Sequence, residues 1–81
     1  MRTATLESDI FIETVPLIDI GRLGFSVRTL VGYPQGCRLS LSITGQEPLP
    51  AYAVWHARGR VGARFVEPLD EDVLLSLIAE E

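Results

Sequence analysis

Residues 51–69, AYAVWHARGRVGARFVEPL, constrain the fold more than any other stretch of the chain. Tyr52, Val54 and His56 alternate with Ala53, Trp55 and Ala57, and beyond Arg58-Gly59 the residues Val61, Ala63 and Phe65 alternate with Arg60, Gly62 and Arg64. Period-two alternation on both sides of an X-Gly pair specifies a β-hairpin, because glycine takes positive φ without steric cost. With Arg58-Gly59 as the loop, an unbroken register sets Val54 opposite Ala63 and Tyr52 opposite Phe65, an apolar face that belongs in the core. Trp55 then falls opposite Gly62 on the outer face, between Arg60 and Arg64. An indole in that position covers backbone that a strand glycine leaves bare.

The rest of the chain supplies partners for the hairpin. Residues 3–7 are weakly β-forming, and residues 10–15, IFIETV, are a stronger strand. Pro16 demands an edge, a bulge or a break there, and Leu17 to Ile20 continues extended. Gly21-Arg22-Leu23-Gly24 is a turn, Phe25 to Val31 a strand, and Gly32 to Gly36 a breaker. In residues 37–44, Cys37, Leu39, Leu41 and Ile43 face one way while Arg38, Ser40, Ser42 and Thr44 face the other. One dry and one wet face is the signature of an antiparallel sheet. Near the C-terminus the period changes, and Val73, Leu74, Leu77 and Ile78 form a helical stripe. Asp70 is placed as N-cap, Glu71 and Asp72 meet the positive end of the dipole, and Leu69 and Leu74 are spaced as a staple. Glu80 and Glu81 oppose the dipole, so the last turn is expected to fray. Such a helix is marginal alone and must dock on the sheet, over one barrel opening.

Eighty-one residues make one domain, 1–81, near the lower size limit for independent folding. The apolar fraction of 47% and mean hydropathy of +0.24 suffice for a core. No apolar run approaches the ~18 residues of a membrane span. The N-terminal MRTATLESDIF lacks an apolar h-region, and the single cysteine forms no internal disulfide, so a cytoplasmic location is expected. All seven basic residues are arginine, and residues 20–66 hold six of them against one acid, Glu47. A basic middle within a chain of net charge −4 suits a small anion, whereas the overall charge disfavours nucleic acid as a partner.

Val54-Trp55, a short basic turn, and then Arg60-Val61-Gly62-Ala63-Arg64-Phe65-Val66-Glu67-Pro68-Leu69 resemble the end of a PilZ domain. This family comprises small bacterial β-barrels, many of which bind cyclic di-GMP. The resemblance spans residues 17–78. It implies a mainly β fold, a six-stranded antiparallel PilZ-like β-barrel with one C-terminal α-helix, in agreement with the strand count read from the residues. It also implies a nucleotide site in two parts. One is an Asp/Asn-x-Ser-x-x-Gly turn, which Asp19-Ile20-Gly21-Arg22-Leu23-Gly24 matches at Asp19 and Gly24 and breaks at Gly21. The other is an Arg-x-x-x-Arg arm, for which Arg2 to Leu6 is the candidate, with Leu6 in the second arginine position. Guanidiniums suit a cyclic dinucleotide because they bind phosphate and the guanine edge bidentately and stack on the base.

The site residues expected from sequence are therefore Arg2, Asp19, Gly21, Arg22, Gly24, Trp55, Gly62 and Arg64, with Arg22, Arg60 and Arg64 able to replace missing contacts if they converge. Each also has a plain reading: Asp19, Gly21 and Gly24 as turn chemistry, Trp55 as cover for Gly62. Cys37 and His56 are the lone thiol and imidazole, and neither metal-ligand spacing nor a triad surrounds them. The expectation is a non-enzymatic regulator or adaptor of bacterial motility and surface behaviour. Cyclic di-GMP would bind it weakly or not at all, and a protein partner or self-association would use the face around Trp55. The alternative is a generic barrel for protein or oligonucleotide binding.

Overall fold

The computed structural model describes residues 2–79. Six strands, β1 (Thr3–Glu7), β2 (Ile12–Ile20), β3 (Gly24–Arg28), β4 (Arg38–Ser42), β5 (Leu49–Ala57) and β6 (Arg60–Phe65), precede one helix, α1 (Glu71–Ala79). All pairings are antiparallel, and the order β1-β2-β3-β6-β5-β4 closes into a barrel through β1 and β4. Closure leaves the sheet without an edge. The expectation for Glu80 and Glu81 lies outside the described residues.

The β5–β6 hairpin turns at Arg58 and Gly59, with φ of 54° and 77°. Positive φ at both central residues gives the twist that two adjacent strands require, and Arg58 accepts a left-handed conformation that is ordinarily left to glycine or asparagine. Ala57 pairs with Arg60, His56 with Val61 and Trp55 with Gly62, as an unbroken register requires. Beyond Trp55 the register shifts: Val54 is bulged out, and Ala53, Tyr52 and Ala51 pair with Ala63, Arg64 and Phe65. This corrects the faces expected from alternation. Ala51 and Ala53 are buried, while Tyr52, Val54 and His56 are exposed. The physical reason is space. Phe25 and Phe65 already fill this part of the interior, ring centroids 5.3 Å apart, and their cross-strand neighbours are Ala63 and Ala51. Large residues set against small ones fit a narrow barrel, and a second tyrosine would overfill it.

Pro16 is accommodated inside β2. The Leu17 N–H donates to the Arg2 carbonyl at 2.8 Å, so by alternation the nitrogen of Pro16 faces β3. There the β2–β3 ladder starts only at Leu17 opposite Val27, and no donor is missed. A bulge at Ile18 then sets Asp19 opposite Ser26.

The core comprises Leu6, Val15, Phe25, Val27, Leu39, Leu41, Ile43, Val61 and Phe65 from the strands, with Leu69 and Leu77 from the C-terminal segment. Leu77 is fully buried, and Val73 and Leu74 pack partly on the same core, whereas Ile78 is largely exposed. Gln46 reaches Ser76 at 3.5 Å, which fixes α1 over the barrel end where β4 leaves and β5 enters. At the opposite end Tyr33 is the plug. Its phenol donates to the Glu13 carboxylate at 2.6 Å, and the Thr29 hydroxyl donates to the same oxygen at 2.8 Å. Burial, and then the bond to Glu13, push the Tyr33 phenol far above its ordinary value. β3 ends at Arg28 because Thr29 turns to this network, accepting the Val31 N–H at 3.1 Å. No helix among the described residues is long and apolar enough to cross a membrane.

Asp70 stands at the N-cap, and its carbonyl accepts the Leu74 N–H at 3.0 Å. Among the described residues its carboxylate makes no hydrogen bond, in contrast to the side-chain cap expected from sequence.

Candidate functional site on the outer face of the barrel

The outward positions of β2, β3, β6 and β5 line up across the sheet. Asp19 pairs with Ser26, Ser26 with Gly62 and Gly62 with Trp55, forming one continuous row. Two residues along, Gly24 pairs with Arg64 and Arg64 with Tyr52. In the other direction Arg28 pairs with Arg60. These rows bring five of the residues expected from sequence, Asp19, Gly24, Trp55, Gly62 and Arg64, to one open groove of about 350 Å³. Ser26, Leu23 and Val54 complete its walls.

Two glycines shape this groove by close approach. A Cβ on Gly62 would overlap the indole of Trp55, so the ring lies flat on the strand as expected. A Cβ on Gly24 would overlap the Ala63 carbonyl oxygen, so Gly24 serves strand approach rather than a turn alone. Gly21 differs. A Cβ there meets nothing within 4 Å, so the turn has room for a side chain it does not carry. Gly21 closes the β2–β3 turn through its N–H to the Gly24 carbonyl at 2.8 Å, and it lines neither this groove nor the cleft beside it.

The remaining expected residues are used elsewhere. Arg22 exchanges bonds with Leu69: its carbonyl accepts the Leu69 N–H at 2.7 Å, and its Nε donates to the Leu69 carbonyl at 3.1 Å. That clamp holds the β6–α1 connection against the β2–β3 turn, so Arg22 does not converge with Arg60 and Arg64. Arg2 lies in a neighbouring cleft of about 490 Å³ that shares Asp19 with the groove and is also lined by Arg28, Ile18 and Ile78. The stretch expected to act as an arm is strand β1, paired with both β2 and β4. Leu6 within it is 0% exposed. An arginine in that register would point into the core.

Ser26 was missed in the sequence. It sits beside Asp19 and Gly62 and supplies a hydroxyl to the groove two residues after the motif turn. The signal was present, since Ser26 alternates with Phe25 and Val27. Among the described residues, no carboxylate lies within ion-pair distance of the guanidiniums of Arg28, Arg38, Arg60 or Arg64. No group of three metal-ligating side chains occurs among the described residues. Cys37 Sγ is directed at the Arg38 carbonyl at 3.6 Å and His56 lies beside Gly32, with no bond joining the two. Compared with known proteins, the chain matches no family model, no curated protein and no solved structure.

Proposed function

We propose that this protein is a PilZ-like signalling barrel of the bacterial cytoplasm, a non-enzymatic adaptor in cyclic di-GMP-linked control of motility or surface behaviour. It works by binding, without turnover. The observation that carries the reading is the division of the expected site. Asp19, Gly24, Trp55, Gly62 and Arg64 share one groove, while the Arg2–Leu6 segment is strand β1 and Arg22 is bonded to Leu69. The groove keeps a surface for docking, has Arg64 as its one lining guanidinium, and lacks the Arg-x-x-x-Arg pair that the resemblance implies for a cyclic dinucleotide, since Leu6 holds the second position. A protein partner, or a second copy of the chain, docks on the exposed Trp55 and Arg64, since an accessible aromatic beside arginine is the composition of an interface hot spot.

The test is association of the purified chain, by sedimentation, and capture of a partner from a bacterial lysate, with wild type and with Trp55→Ala/Arg64→Glu. Arg64 is exposed and Trp55 half exposed over Gly62, so far-UV circular dichroism and a Trp55→Phe/Arg64→Glu variant, which keeps a ring over Gly62, check that the fold is retained. Association lost in the double variant supports the reading. Association that survives places the contact elsewhere and removes the groove's assigned role.

A further inference from the structure

Strand β5 carries two aromatic residues an odd number apart, Tyr52 and Trp55. In a regular strand, such residues face opposite sides of the sheet. The bulge at Val54 takes up one residue and brings both rings to the outer face, 36% and 45% exposed. Bulges re-aim side chains in this way next to binding sites. Tyr52 then lies between Arg64 on β6 and Arg38 on β4, its direct cross-strand partners.

The arginines on this face are arranged against their own electrostatics. Arg28 and Arg60 are direct cross-strand partners, a like-charge pairing that destabilises a sheet. None of the guanidiniums of Arg28, Arg60, Arg64 and Arg38 is neutralised by a carboxylate among the described residues. Positions two apart on a strand are separated by about 7 Å and neighbouring strands by about 5 Å. The four arginines therefore run diagonally across β3, β6 and β4, with Trp55 and Tyr52 between them on β5. Asp19 is the sole acid in the groove and stands at its margin. Most other acids lie on β1, β2 and their turn, or around the start of α1. The net charge of −4 thus describes the molecule and not this face.

We propose that the outer face of β3-β6-β5-β4 binds single-stranded nucleic acid. The arginines pair with successive phosphates, and unstacked bases lie on Trp55 and Tyr52. Alternating cations and accessible rings are the physical requirements of such a site. A purely acidic peptide such as oligoglutamate would satisfy the guanidiniums and leave both rings unused, and a duplex would present no unstacked base to them. This inference does not depend on cyclic di-GMP, and it goes beyond the protein-docking reading by assigning the same Trp55–Arg64 surface to nucleic acid.

The experiment titrates the purified chain with labelled oligouridylate and oligothymidylate of about eight nucleotides, followed by anisotropy. Trp55 is the only tryptophan, so quenching of its emission reports base stacking directly. Inorganic polyphosphate and oligoglutamate are the comparison arms. The expected result is binding with quenching and a log–log salt slope of about −2 to −3, the value for three to four phosphates. Arg28→Gln/Arg60→Gln should make that slope shallower by about 1 to 1.5. Trp55→Leu should weaken binding about tenfold at unchanged slope. Preference for RNA over DNA would place a 2′-hydroxyl contact within the same site. The proposal is overturned if neither oligonucleotide binds at protein concentrations up to about 100 μM in low salt. It is equally overturned if polyphosphate binds as tightly, or if oligoglutamate binds more tightly.

Discussion

Substituting alanine at Gly24 and at Gly62 separates two kinds of close approach that look alike in the sequence. At Gly24 the new methyl meets the Ala63 carbonyl oxygen, with Ala63 C and Arg64 Cα both at 3.2 Å. These are backbone atoms of the neighbouring strand, so β3 and β6 must part. Overpacking costs ~1–3 kcal/mol, and a rigid obstacle puts this site near the top of that range. Reduced freedom of the unfolded chain returns ~0.4–1 kcal/mol, leaving a net loss of about 2 kcal/mol. At Gly62 the obstacle is the Trp55 ring, which is half exposed and free to tilt outward. Fully unseating half an indole forfeits ~100 Å² of sheltered area, or ~2.5 kcal/mol at ~25 cal/mol per Å². A tilt forfeits a fraction of that, and the entropy gain brings the net cost below about 1 kcal/mol. Urea denaturation followed by circular dichroism reads both. With a slope of ~1 kcal/mol per molar for a small chain, the midpoint falls by ~2 M for Gly24→Ala and by less than ~1 M for Gly62→Ala. Trp55 emission supplies the second signature, shifting red in Gly62→Ala and holding in Gly24→Ala. A larger midpoint drop for Gly62→Ala, or unshifted emission in that variant, would refute the reasoning.

Leu6→Arg, the substitution that would complete an arginine pair, should abolish the cooperative urea transition instead of creating a nucleotide site, because it forces a charge into the core; a folded, dinucleotide-binding variant would show that β1 has another register. The proton on Tyr33 gives a pH dependence: its folded-state value is raised, so its contribution is full below the ordinary tyrosine value near 10 and is lost as pH rises beyond it. The urea midpoint should therefore drop as pH rises above about 10 in wild type, with a smaller drop in Tyr33→Phe. Asp70→Ala and Asp72→Ala should each cost only ~0.3–1 kcal/mol through the helix dipole and match one another, since the Asp70 carboxylate caps nothing; an excess cost of ~1 kcal/mol at Asp70 in urea denaturation would establish a cap in solution.

The barrel was legible wherever alternation ran unbroken. Cys37, Leu39, Leu41 and Ile43, and Val61, Ala63 and Phe65, face inward as alternation predicts, the hairpin turns at Arg58-Gly59, and Trp55 covers Gly62. Alternation failed at Val54, because an apolar residue at a bulge is indistinguishable from an apolar residue in register. The available clue was volume: a narrow interior holding Phe25 and Phe65 has room for Ala51 and Ala53 and none for Tyr52. Part of the candidate site was legible for the same reason, since Gly62 and Trp55 precede the bulge and Gly62 and Arg64 alternate without a break along β6. Arg22 was not, because its tie to Leu69 joins residues 47 apart and leaves no local pattern. Residues 2–6 read both as a weak strand and as the arm candidate, because an arm and a strand have the same residue spacing, and the buried Leu6 is what marks the stretch as strand β1.

Calorimetric titration of the purified chain with cyclic di-GMP tests the central claim most directly. Each charge-assisted bond missing from the clamp is worth ~1.5–3 kcal/mol, and the missing hydroxyl at Gly21 ~1 kcal/mol. Together these remove ~2.5–7 kcal/mol, on the order of 10²- to 10⁵-fold in affinity. Starting from a working site assumed near 1 μM, the adaptor reading predicts a Kd of about 100 μM or weaker, unchanged in Arg22→Ala. A Kd tighter than about 10 μM that is lost in Arg22→Ala would contradict it, showing that Arg22 leaves Leu69 to complete a functional nucleotide site.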